Sequence, residues 1–249
     1  MFNFFAKENS RRENNYIIEN GDCNHIKNVL RMRVGDRLLV SDNGMSHLCE
    51  ISLIESDFIV AKILEENYND TSLPINIYLF QGLPKADKME FIIQKSVELG
   101  VSGIIPVEME HCVVKLDEKK RKSKLDRWNL ISESAAKQSK RNFVPKVYPP
   151  VSFKTVMENA HKLDLFLVPY EAKNGMKDTK GAILKLKTGM NVGILIGSEG
   201  GFSEKEITDA LNKNLEVISL GKRILRTETA AITAVSMCML YSETECSND

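Results

Sequence analysis

The chain has 249 residues, 43% of them hydrophobic, which is enough for one large domain or two smaller ones with a sizeable core. Lys+Arg and Asp+Glu both number 34, so the formal net charge is zero, and any attraction to a polyanion has to come from local clustering. No apolar run approaches the roughly 20 residues that span a bilayer, and MFNFFAKENSRR has no long apolar stretch ahead of a small-residue cleavage site, so a cytosolic protein is expected. Cys23, Cys49, Cys112, Cys238 and Cys246 are widely spaced, with no CxxC and no histidine at ligand spacing. Reduced, mostly buried thiols fit this pattern better than a disulfide framework or a zinc site.

Up to about residue 70 the signals are those of strands: YIIE, RLLVSDNG, HLCEISLIE and FIVAKILEE, with Gly35-Asp36 and Asn43-Gly44 as turn dipeptides. HIKNVLRMR, with Ile26, Val29 and Leu30 at helical spacing, predicts one short helix. A small β-barrel or sandwich follows, and the polar, proline-ended NYNDTSLP, residues 67–74, reads as the linker. Strands and helices then alternate. INIYLFQGL is a buried strand, and PKADKMEFIIQKSVELG a helix with Pro84 near its start, Met89, Ile92, Ile93 and Val97 as its apolar stripe, and Gly100 as its stop. The strand GIIPVEM, a long basic helix around Trp128, and the strands DLFLVPY, NVGILIG and LEVISLG follow, the last two each leading into a helix. Such a pattern predicts an α/β domain whose parallel sheet is covered on both faces, with ligands beyond the carboxyl ends of its strands.

Three of those ends concentrate unusual residues. The strand DLFLVPY stops at Pro169, which cannot donate to a ladder. In ILIGSEGGFSEKEI, Gly197, Gly200 and Gly201 permit left-handed backbone or close approach of a ligand, while Ser203 and Glu206 form a capping box that opens the next helix. The stretch is neither GxGxxG nor a Walker loop, and Glu199 among the glycines disfavours phosphate, so an adenosine or methionine-type ligand suits it better. In LGKRILRTETAAITAV, Leu220-Gly221 ends a strand, Ile224 and Leu225 are expected to turn inward and flank a flat ring, and Thr227 is placed to cap the last helix. Glu228 suits the helix mouth there and Arg226 does not, and a charge set against the macrodipole points to function.

Taken in order, VPY at 168–170, IGSEGGFSEKEI at 196–207 and LGKRILRTETAAI at 220–232 resemble the SPOUT family of methyltransferases. Within it they are most similar to the ribosomal RNA small subunit methyltransferase E family, as are HIKNVLRMRVGD at 25–36 and KADKMEFIIQKSVELGV at 85–101. The resemblance covers nearly the whole chain. It implies a PUA-like β-barrel RNA-binding domain over 1–70, a methyltransferase domain over 73–249 with a carboxyl-terminal trefoil knot, S-adenosyl-L-methionine as cofactor, and a homodimer to which the last helix contributes. It also implies that Leu167, Val168, Pro169, Ile196, Gly197, Gly201, Leu220, Gly221, Ile224, Leu225 and Thr227 surround the cofactor, with Arg226 turned toward the reacting base. Ser198 stands where the family usually has proline, and Asn3 where many members carry arginine.

The reaction the resemblance implies is methylation of uridine N3 in 16S ribosomal RNA of the small subunit. It requires loss of a weakly acidic N–H, so orientation, a base and a group that favours the uracil anion are needed, and no metal. Arg226 is assigned to the developing oxyanion, and Glu199 or Glu228 to the proton. N3 lies on the Watson–Crick edge, so the base must be unpaired or flipped and the surrounding RNA held. KLDEKKRKSKLDR, residues 115–127, carries seven basic and three acidic residues, but its 117–124 run reads as a solvated, mobile charged loop. Arg31, Arg33, Lys85, Lys88 and Arg141 are the expected phosphate contacts. The competing reading is a non-catalytic RNA-binding or ribosome-assembly protein that keeps the fold; the intact GSEGG and LRTET stretches argue against it.

Overall fold

The computed structural model describes residues 1–173 and 175–246. They divide into two compact units, the first formed by residues 1–72 and 136–144, the second by 73–135 and the remainder from 145.

The first unit is a six-stranded sheet built from β1 (Asn3–Phe5), β2 (Arg11–Arg12), β3 (Asn15–Glu19), β4 (Arg37–Asp42), β5 (Met45–Ile54) and β6 (Phe58–Asn69), in the order β1-β4-β5-β6-β3-β2. All neighbours are antiparallel except β1 and β4. Period-2 alternation buries Leu38, Val40, Cys49, Ile51, Ile59 and Ala61 on one face. The helical stretch is α1 (Asn20–Asn24) followed by a π-type turn over His25–Val29, in which the Leu30 amide donates to His25 O at 2.9 Å. Ile26 is buried, but Val29 is exposed, because the wider turn rotates it off the apolar face that a 3.6-residue period assigns to it. The strand β6 continues to Asn69, so the connecting segment is shorter than the polar composition of 67–74 indicates.

The second unit is a wholly parallel sheet. Its elements are β7 (Asn76–Gly82), α2 (Lys88–Glu98), β8 (Gly103–Glu108), α3 (Glu118–Gln138), β9 (Lys146–Val147), β10 (Val151–Ser152), α4 (Phe153–Asn159), β11 (Leu165–Pro169), α5 (Lys177–Ile183), β12 (Asn191–Ile196), α6 (Glu204–Asn212), β13 (Glu216–Ile218) and α7 (Thr227–Glu245). The strand order is β10-β8-β7-β12-β11-β13, with β9 also on β8. Sequence neighbours β11 and β12 pair, but β12 also pairs with β7, which brings the carboxyl ends of β7, β11, β12 and β13 side by side. Met89, Ile92, Ile93 and Val97 form the buried stripe of α2, and Gly100 follows it at φ 99°. That helix begins at Lys88, four residues beyond Pro84, with Ala86 at φ 52° between them. The charged run after Asp117 is helical rather than a loop: Asp117 accepts from the Lys120 amide at 2.8 Å and caps α3. Part of its charge is spent inside the unit, since Arg121 pairs with Glu108, and Arg127 with Glu90 at 2.6 Å.

All five cysteines are free; Cys23, Cys49 and Cys238 are buried, and burial pushes the Cys49 and Cys238 thiols up to about 12. Among the described residues no helix is long and apolar enough to cross a membrane.

Candidate functional site

A cavity of about 400 Å³ opens at the carboxyl ends of β11 and β12 in the second unit, with the segment after β13 closing it. Its floor is the turn from Gly197 to Phe202. Ser198 and Gly201 form a β-bridge, and Gly201 has φ 67°. A Cβ on Gly201 would lie 2.7 Å from Glu171 Oε1, and one on Gly200 the same distance from His111 Cβ. At Gly200 the packing against His111, and at Gly201 the left-handed backbone, favour glycine. The His111 ring nitrogen Nδ1 bonds Gly200 O at 2.9 Å and so fixes the far side of the turn. Ser203 and Glu206 form the capping box of α6, and the second Glu206 oxygen accepts from the Glu110 amide at 3.0 Å.

The other wall is Leu220 to Ala230. Gly221 has φ 112°, and a Cβ there would meet nothing within 4 Å, so its backbone faces open space. The N-cap of α7 is Arg226, not Thr227. Thr227 instead donates its hydroxyl to Gly197 O at 2.6 Å and accepts from Gln81 Nε2 at 2.9 Å. This buried network ties the ends of β7 and β12 to the start of α7. Close packing reinforces it, because a Cβ on Gly82 would lie 2.7 Å from the Ser198 amide nitrogen.

Charge enters the cavity from four segments, at Lys88, Glu171, Glu199 and Arg223 to Arg226. Lys88, the first residue of α2, places Nζ 3.0 Å from Glu199 and 3.5 Å from Glu228. Glu199 also accepts from the Lys85 amide at 2.9 Å. Burial pushes the Glu199 carboxyl up, but the Lys85 and Glu199 amides together with Lys88 outweigh it, and the group ends below its ordinary range. Lys88 is shifted the other way, mainly by its hydrogen bond to Glu199. Arg226 lines the cavity with an exposed side chain, and among the described residues its guanidinium has no hydrogen-bond or ion-pair partner.

Residues 71–239 match the family described as RNA methyltransferase domain, and residues 18–64 that described as RNA methyltransferase PUA domain. The chain is 38% identical to ribosomal RNA small subunit methyltransferase E of Bacillus subtilis over 92% of its own length and 91% of the relative's. It is 34% identical to the protein of the same name from Mesomycoplasma hyopneumoniae over 96% and 99%. The chain belongs to the ribosomal RNA small subunit methyltransferase E family. A solved member from Neisseria gonorrhoeae, bound to S-adenosyl methionine, superimposes with a TM-score of 0.81 at 32% identity, covering 95% of each chain.

Of the residues that the methyltransferase E resemblance implies around a cofactor, Pro169, Ile196, Gly197, Gly201, Leu220, Gly221, Ile224, Leu225 and Thr227 line the cavity. Leu167 and Val168 do not; both are fully buried in β11 behind Pro169. Ile224 does not turn inward: it stands at the rim, 86% exposed, because the loop carries it on the outer side of the chain from Leu225. Of the expected RNA contacts, Arg31, Arg33 and Lys85 present exposed side chains in their respective units. Arg141 does not. It is 3% exposed, stacked 4.8 Å over Phe143, and burial lowers its guanidinium to about 10, so it is a packing residue rather than a phosphate contact. Asn3, in the same unit, donates to Arg141 O at 3.0 Å and accepts from Ser41, which gives this departure from the family pattern a local structural role. Lys88 faces the two glutamates instead of solvent. Sequence reasoning assigned no site role to Gln81, Gly82, His111 or Tyr170; Gln81 and Gly82 end β7, His111 lies three residues beyond β8, and Tyr170 follows β11 in the VPY stretch.

Proposed function

We propose that the protein transfers the methyl group of S-adenosyl-L-methionine to N3 of a uridine in the 16S ribosomal RNA of the small subunit. The observation that carries this reading is the juxtaposition of a glycine-built cavity at the ends of β11 and β12 with a partnerless guanidinium, Arg226, on its wall. The cavity fits the cofactor: its volume accommodates an adenosine-sized molecule, the sequence holds no Walker-type phosphate loop, and Gly221 exposes its backbone to open space on the cavity wall. Ile196, Leu220 and Leu225 supply apolar walls for a purine ring, while backbone groups of the Gly197–Gly201 turn serve the polar remainder. When bound, the cofactor supplies an electrophilic methyl group.

The chain's own residues do the rest. Arg226 stabilises negative charge on a uracil carbonyl oxygen as N3 loses its proton, and it does so at no cost of breaking an existing ion pair. Glu199 is a weak proton acceptor, because three donors already satisfy its ionised form. Glu228 Oε2 is buried without a hydrogen bond, 3.5 Å from Lys88, and in this reading it takes the proton through water. Exposed Arg31, Arg33 and Lys85 hold phosphates of the flanking RNA. We further propose the homodimer, the trefoil-knotted carboxyl-terminal path, the 1–70 and 73–249 domain roles and the cytoplasmic location that go with this family.

Arg226→Ala tests the mechanism. It should bind S-adenosyl-L-methionine within about threefold of the parent and lose roughly 10²–10³ in transfer rate, the cost of one oxyanion donor. Near-normal transfer would remove Arg226 from the chemistry.

A further inference from the structure

Glu171, Glu199, Arg223 and Arg226 line this cavity, and a carboxylate beside a guanidinium ordinarily forms a bidentate pair. Among the described residues Arg226 forms no such pair. Glu228 lies two residues beyond Arg226, in the first turn of α7, and Lys88 holds Glu228 and Glu199 together on a single ammonium. All three members of that cluster are partly withdrawn from water, with side-chain exposures of 33% for Lys88, 26% for Glu199 and 17% for Glu228. The Lys85 amide adds a further donor to Glu199. Lys88 therefore spends its charge on two carboxylates, one of them on the cavity wall with Arg226 and the other in the same helical turn.

We infer that Lys88 is a positioning residue whose task is to keep Glu199 and Glu228 from pairing with Arg226, so that this guanidinium stays available to the substrate. Arg226's availability has a catalytic meaning only under the methyltransferase reading, on which the inference rests in that respect. The electrostatic claim itself is independent of it. Removing the ammonium leaves two neighbouring carboxylates with no shared counter-charge, and Arg226 is an exposed cation on the cavity wall that can answer it. Capture would neutralise the group that the uracil oxyanion needs, and a dry, hydrogen-bonded pair would have to be broken at every turnover.

The test reads Arg226 directly, without RNA or cofactor. Phenylglyoxal modifies unpaired guanidinium groups, and its rate at each arginine is followed by peptide mass spectrometry; Arg223, which lines the same cavity, is the internal control. Lys88→Met should slow modification of Arg226 at least fivefold relative to Arg223, Lys88→Arg should keep it within about twofold of the parent, and Lys88→Met with Glu199→Gln and Glu228→Gln should restore it. An unchanged Arg226 rate in Lys88→Met overturns the inference, as does a slowed rate that removal of both carboxylates fails to restore. If circular dichroism shows that Lys88→Met does not fold, Lys88→Gln takes its place with the same expectations. Transfer assays on the same set then separate the two claims. A parent protein without transfer would defeat the methyltransferase reading while leaving the Arg226 rates to decide the role of Lys88. With an active parent, Lys88→Met should lower kcat at least tenfold at nearly constant cofactor Kd, and Lys88→Arg should recover most of it.

Discussion

The chemistry of single side chains in the cavity depends on who already holds them. Thr227 shows this for a neutral group. Its hydroxyl is both donor to Gly197 O and acceptor for Gln81, so Thr227→Val removes two buried hydrogen bonds while preserving shape, leaving Gln81 Nε2 its bond to Gly82 O and a 3.5 Å contact with Gly197 O. We expect about 1–3 kcal/mol of lost stability, read as a lowered urea midpoint at unchanged slope; a midpoint equal to the parent's would mean that the network is dispensable. Glu199 shows it for a charge. Its carboxyl is held below its ordinary range in the fold, so its contribution is present above the unfolded-state value and is lost as pH falls through the folded one. Acid unfolding at and below the ordinary carboxylate range should therefore be less steep in Glu199→Gln than in the parent, and parallel acid limbs would contradict the assignment. The sequence placed Glu199, Arg226 and Glu228 at strand and helix ends, so their neighbourhood was legible. Their partners were not. Lys88 reads in sequence as one more cation in a basic helix start, and Arg141 as one more in KQSKR; only the fold shows that one is clamped by carboxylates and the other buried on Phe143.

At the level of elements, local rules succeeded where the local pattern was strong. The apolar stripe of α2, Gly100 at its end and the Ser203–Glu206 box all follow from spacing alone. Here Ser203→Ala should cost α6 about 1 kcal/mol, measurable by thermal unfolding, and should loosen the cavity turn, because Glu206 also anchors the Glu110 amide; an unchanged Tm would show that Glu206 alone suffices. Errors arose where two elements compete for one residue. Thr227 has the chemistry of an N-cap, but Gly197 O and Gln81 claim its hydroxyl, and the cap position falls to Arg226 without a side-chain bond. The 117–124 run is polar all round, which composition alone reads as loop; a capping Asp117 and good helix formers make it helix. The end of β6 was missed for the opposite reason: residues 66–69 are polar and exposed, yet they continue a ladder, with Asn69 paired to Ser46.

For the whole molecule, fold class followed from the change of period near residue 70, since half-buried strands alternate and parallel strands run apolar. The return of residues 136–144 to the first unit did not, because it depends on contacts such as Asn3 to Arg141 that lie far apart in sequence. Nor does strand order follow from pattern: that β7 sits beside β12 is what brings Gln81, Gly197 and Thr227 together, and with them the cavity. The central claim is that this assembly methylates uridine N3. Its most direct test incubates the protein with labelled S-adenosyl-L-methionine and small ribosomal subunits lacking the modification, then digests the RNA and identifies the labelled nucleoside by mass spectrometry. The account predicts label in 3-methyluridine from 16S RNA and in no other nucleoside; cofactor binding with no labelled nucleoside, or label in a different methylated base, would contradict it.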